Sequence, residues 1–159
     1  MREYEEKLRA VGLQSSTSAT KELVELFEGG HGALPLDYRN FLIRFNHAFF
    51  QDVVYFKSLE SLYPERPTME GVVSTFYGFR ESKRSGDLRF AAETFADDLP
   101  PGLIPIGDNL LGDQLCLSVA GEHRGRIYFW DRDTGRRESR LPLIANSFNE
   151  FILSLYTKP

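Results

Sequence analysis

The chain's 159 residues suit one domain, and 42% hydrophobic, 13% aromatic and 26% charged residues make a globular composition that excludes a disordered chain. A net charge of −4 and a pI near 5.4 argue against a dedicated nucleic-acid binder, which carries a basic excess. One cysteine, Cys116, excludes an internal disulfide framework and a cysteine-based zinc site, and no apolar run approaches the ~20 residues of a membrane helix.

The chain starts "MREYEEKLRAVGLQ", which carries acids and lacks the apolar core of a secretion signal, so a reduced, cytoplasmic setting is expected. Tyr4, Leu8 and Val11 predict a weak amphipathic helix ending near Gly12. "SSTSAT" supplies hydroxyls to cap the next helix, "KELVELFEGG", which is expected to stop at Gly29 and Gly30. In "LPLDYRNFLIRFN", Pro35 suits a first helical turn. Tyr38, Phe41, Leu42 and Phe45 then form one apolar stripe, and Asn46 is the expected stop. "VVYF" (53–56) reads as a strand, and "VVSTFYGF" (72–79) as another after the breaks at Pro64 and Pro67.

"DLRFAAETFADDLPPG" returns to helical spacing. Asp87 is its natural N-cap, Leu88, Ala91, Ala92, Phe95 and Leu99 keep one face, and Pro100 with Pro101 ends it. "LCLSV" and "RIYFW" are strands joined by "AGEHRG", whose Gly121 and Gly125 permit a hairpin. The two-residue period puts Leu115, Leu117 and Val119 on one face and Cys116 and Ser118 on the other. "DRDTG" is a second turn, leading to a short strand around residues 137–141. "SFNEFILSLY" closes the chain as a helix, with Ser147 and Glu150 at capping-box spacing and Phe148, Phe151, Ile152 and Leu155 as its buried stripe. Helices at both ends and strands between them predict an α+β single domain over 1–159, with a largely antiparallel central sheet flanked by helices.

The chemistry-bearing residues form no catalytic constellation. His31, His47 and His123 are scattered and outside any metal-binding spacing, so no metal or cofactor is expected. Cys116 lies in an apolar strand rather than at a helix N-terminus, the setting of a buried structural thiol. Asp108 and Asp113 flank "NLLG" and are the one carboxylate pair placed for acid–base hydrolysis; the same residue types are also standard turn chemistry. Trp130 suits a sheet-covering aromatic or, if exposed, an interface anchor. Arg124, Arg126, Arg132, Arg136, Arg137 and Arg140 make the hairpin region basic, yet net acidity and the lack of an RNA-binding motif argue against direct nucleic-acid contact. From Ala91 to Gly121, by contrast, five acids (Glu93, Asp97, Asp98, Asp108, Asp113) stand without a lysine or arginine and account for all of the net negative charge. That segment is either a solvated face or an acidic patch toward a basic partner.

The order of the pieces is more distinctive than any one of them. "LPLDYRNFLIRFN", "IPIGDNLLGDQLCLSV", "GEHRGRIYFWDRD" and "IANSFNEFILSLY" resemble, over about 20–157, the SUKH superfamily, which includes fungal Smi/Knr-type cell-wall regulators and many bacterial immunity proteins. The family pattern is a leucine-proline helix start, a loop of the "ipig…gGD" kind with a strand after it, a "GxVyfW" strand and a terminal "SFxeFl" helix. Here "NHAFF" follows the helix-ending asparagine where the family often has glycines, and "LLGD" replaces glycine-glycine-aspartate. The resemblance implies a non-catalytic domain that binds and neutralises a toxin, often a nuclease, encoded nearby. A regulatory protein-binding scaffold is the alternative, and a small hydrolase using Asp108 and Asp113 the third reading. Asp97, Asp98, Asp108, Asn109, Asp113 and Trp130 are the candidate partner-binding residues.

Overall fold

A computed structural model of the chain describes residues 2–63, 65–132 and 141–159. Among them are five helices: α1 (Arg2–Ala10), α2 (Lys21–His31), α3 (Leu36–Phe45), α4 (Leu88–Thr94) and α5 (Phe148–Leu153). Seven strands, β1 (Leu13–Ser15), β2 (Ala48–Lys57), β3 (Glu70–Phe76), β4 (Leu103–Asp108), β5 (Gln114–Ser118), β6 (Ile127–Trp130) and β7 (Leu143–Ala145), pair antiparallel in strict chain order. The α+β architecture and antiparallel sheet are those expected from the sequence. The turn at "DRDTG" and the strand at 137–141 fall mostly outside the described residues.

One face of the sheet carries the main core. Phe41 from α3, Phe76 from β3 and Phe148 from α5 meet edge to face with centroids 5.1 to 5.9 Å apart, all fully enclosed. Such contacts add about 0.5–1.5 kcal/mol per pair beyond area burial. The other face holds a smaller cluster in which Leu99, Cys116 and Trp130 are buried against Phe95 and Leu103. Two covered faces explain why β5 is buried at every position. Leu115, Leu117 and Val119 do enter the main core while Cys116 enters the small cluster, as the strand period predicts.

Several boundaries differ from expectation for identifiable reasons. α2 runs through both glycines to His31, because nothing forces a left-handed residue before Gly32 (φ 104°), whose N–H closes the last turn on the Glu28 carbonyl. His31 stacks on Phe27 one turn back, with centroids 4.2 Å apart. α4 stops at Thr94, and Phe95 and Leu99 keep their common face through a turn in which the Leu99 N–H donates to the Phe95 carbonyl (3.2 Å). Asp87 caps α4 as expected, accepting from the N–H of Arg89 and of Phe90. Leu103–Asp108, expected as loop, is a strand, and only the residues that follow it turn.

After Asn46 the chain enters β2 directly. Asn46 is the one non-glycine residue described with positive φ (54°). Its side chain accepts from the Phe79 N–H (2.6 Å) and donates to the Phe79 carbonyl (2.9 Å), tying the end of α3 to the segment beyond β3.

Candidate protein-binding face

The β4–β5 hairpin brings three of the six candidates together. Asn109 organises the turn: its side-chain oxygen accepts from the N–H of Leu111 (2.9 Å) and of Asp113 (3.0 Å), and its amide donates to the Asp113 carboxylate (3.1 Å). Gly112, at φ 86°, allows the chain to reverse. Asp113 is buried and also accepts from the Tyr63 hydroxyl (3.2 Å) and the Arg132 N–H (3.3 Å). Burial, then the Asp113 charge, push the Tyr63 phenol up to about 12.

Asp108 enters a different network. The Tyr77 hydroxyl lies 3.1 Å from its carboxylate and 2.8 Å from the Gln114 side-chain oxygen, and Gln114 in turn donates to the Gly112 carbonyl (2.9 Å). Burial pushes the Asp108 carboxyl up, only partly offset by the hydroxyls of Tyr77 and Thr75. Each carboxylate therefore has its own tyrosine. Cys116 is enclosed, and burial pushes its thiol up, the opposite of an activated nucleophile.

Asp97 and Asp98 are exposed in the turn after α4. Trp130 is 5% exposed and pairs with Gln114 across the sheet. Phe95 covers it edge-on at 5.3 Å, and the Arg132 guanidinium lies 4.9 Å over the Phe95 ring. A partner reaching this region meets Phe95 and Arg132, not the indole. Of the candidate acids, Asp97 and Asp98 are thus the exposed ones, while Asn109 and Asp113 hold the turn and Asp108 is bonded to Tyr77.

What that turn displays is apolar. Leu110 and Leu111 are 70% and 83% exposed at its tip. Behind them lies a groove of about 510 Å³ lined mainly by apolar groups, with Tyr63 and Phe129 among its walls. Exposed neighbouring leucines beside a concave apolar surface are features of interaction sites. Two leucines between Asn109 and Gly112 were the available signal, since tight turns otherwise favour polar residues. Among the described residues, no three His, Cys, Asp or Glu side chains cluster as metal ligands, and no helix is long and apolar enough to cross a membrane. Arg136, Arg137 and Arg140 lie outside the described residues.

Comparison with known proteins adds two findings. The model of the SMI1 / KNR4 family (SUKH-1) matches residues 18–154. The chain is also similar to the SPbeta prophage-derived uncharacterized protein YokK of Bacillus subtilis (strain 168), with 28% identity over 158 residues, covering 93% of this chain and 80% of that relative.

Proposed function

Because the chain belongs to the SMI1 / KNR4 family (SUKH-1), whose members are generally non-catalytic immunity or regulatory proteins, we propose that it is an immunity protein of the cytoplasm that binds and neutralises a toxin encoded nearby. The observation that carries this reading is the family match over residues 18–154, most of the chain. The matched relative's prophage origin supports a reading of conflict between genomes, and with it toxin neutralisation, over a housekeeping scaffold. A hydrolase would need Asp108 and Asp113 to act on one bond; each is instead bonded to a different tyrosine.

Exposed Asp97 and Asp98 suit a basic partner such as a nuclease, whose phosphate-binding surface is positive. Co-expression with neighbouring reading frames tests the reading. A frame that kills alone and is harmless beside this protein supports it; survival unaffected by this protein in every pairing overturns it. With such a toxin in hand, Asp97→Lys with Asp98→Lys should slow association by about tenfold, and wild-type association should slow as salt rises. Unchanged rates would exclude these two acids from the interface. Asp113→Lys is unsuitable for this purpose, because it would break the turn.

A further inference from the structure

β3 pairs with β2 from Glu70 to Phe76 but meets β4 only at Thr75 and Phe76. Over residues 70–74 no strand among the described residues lies on the β4 side of β3, because the chain turns away at Asn109. The direction of the backbone groups there can be traced. Tyr55 stands opposite Val72, and both its N–H (2.8 Å) and its carbonyl (2.9 Å) are bonded to Tyr156, beyond the far side of β2. In an antiparallel pair such a residue faces a partner whose own N–H and carbonyl point outward. Those of Val72 accordingly point into the groove. The neighbours agree: the Ser58 N–H donates to the Met69 carbonyl across the β2–β3 pair (2.6 Å), whereas the N–H of Glu70 turns outward to the Thr68 hydroxyl (3.2 Å).

The rest of the groove suits the same occupant. Leu110 and Leu111 form the wall opposite β3, and Tyr63 rests edge-on against Phe129 at 5.5 Å. At the mouth, the Arg66 guanidinium lies 5.0 Å over the Tyr63 ring and forms no ion pair among the described residues. The acid on the strand itself, Glu70, is engaged by Lys158 (2.7 Å) and by the Tyr156 hydroxyl. The groove thus combines an open strand edge, apolar walls and a guanidinium that has no ion pair among the described residues.

We propose that this groove takes an extended segment of a protein partner, added as a strand beside β3 at Val72, with alternate apolar residues and a carboxylate opposite Arg66. Main-chain hydrogen bonds supply the docking and the leucine wall and Arg66 supply selectivity, as in other strand additions. The proposal rests on the protein-binding reading and says where, and in what form, a partner segment docks.

Amide exchange followed by NMR on the full chain tests it first. The Val72 amide should exchange at least about 100-fold faster than those of Gly71 and Val73, which turn toward β2. Equal protection of all three in the free protein would overturn the proposal. Random peptides of about 12 residues, displayed on phage and selected on the full chain, are the second probe. Enriched peptides should alternate apolar residues, contain Asp or Glu and slow Val72 exchange. They should also lose about tenfold in affinity on Arg66→Glu, restored by placing Lys for the peptide acid. Peptides that leave Val72 exchange unchanged, or no enrichment over the exposed-site variant Leu111→Asp, would count against it. None of these results bears on toxin rescue by co-expression, so the two readings fail separately.

Discussion

Asn46 does at one position what usually takes a glycine and a separate clamp. Its φ of 54° reverses the chain, and its amide holds both backbone groups of Phe79. Asn46→Ala should lower stability in urea by about 2–3 kcal/mol, since it strains the backbone and leaves buried groups unpaired; Asn46→Gly, relieved of the strain, should lower it less. The sequence marked Asn46 as a helix stop but could not show its partner 33 residues on. Two aspartates carry opposite pH signatures. Burial would raise Asp87, but the Arg89 side chain and the N–H groups of Arg80 and Phe90 outweigh it and hold the carboxyl below the usual range. Its stabilisation is present above the unfolded value near 3.8 and is lost as pH falls through the depressed folded value. Asp87→Asn should therefore cost about 3 kcal/mol at neutral pH and flatten the acid limb of a stability–pH curve. Asp108 is raised by burial, so the folded state is favoured at low pH and that advantage is lost as pH rises through its folded value. Asp108→Asn should raise the urea midpoint at pH 7, with the gain vanishing in acid.

Elements with strong periodicity were legible, and those with irregular residues were not. The stripe of α3 and the capping serine of α5 read directly, and the Ser147 hydroxyl does accept from the Glu150 N–H (3.1 Å). β4 was hidden because "LIPIGD" contains Pro105 and Gly107, residues that argue against a central strand. Both are accommodated locally: the register with β5 shifts between them, and a Cβ on Gly107 would stand 2.5 Å from the Thr75 carbonyl oxygen. In α2, glycine misled in the other direction. Gly29 and Gly30 are helical with nothing within 4 Å of an added Cβ, so Gly29→Ala and Gly30→Ala should each stabilise by about 0.5–1 kcal/mol in denaturant titration. At Gly32, where φ is positive, alanine should destabilise instead. The groove was illegible because its walls come from β3, the β4–β5 turn and the segment around Tyr63, which only the fold brings together.

For the molecule as a whole, acidic composition is a poor guide to the charge a partner meets. Of the four aspartates and one glutamate between Ala91 and Gly121, Asp113 is absorbed by a turn, while the groove offers a cation at Arg66. Cys116 reports on the integrity of both faces of the sheet: it should resist thiol reagents in the native protein and react at a rate that tracks global unfolding as urea is raised. The sheet runs β1 to β7 in chain order, yet the early and late parts of the chain meet, with α1 against α5, the Lys7 ammonium on the Leu155 carbonyl (3.0 Å) and Tyr156 paired to β2. A nascent chain can zip this sheet hairpin by hairpin as it is translated, but Phe148, Phe151, Ile152 and Leu155, all fully enclosed, are made only after the seventh strand. Until they emerge, the apolar face lacks the part of its cover that α5 supplies and the nascent chain is a natural chaperone client. A stop codon just before Phe148 would consequently yield an aggregating polypeptide rather than a slightly shorter protein.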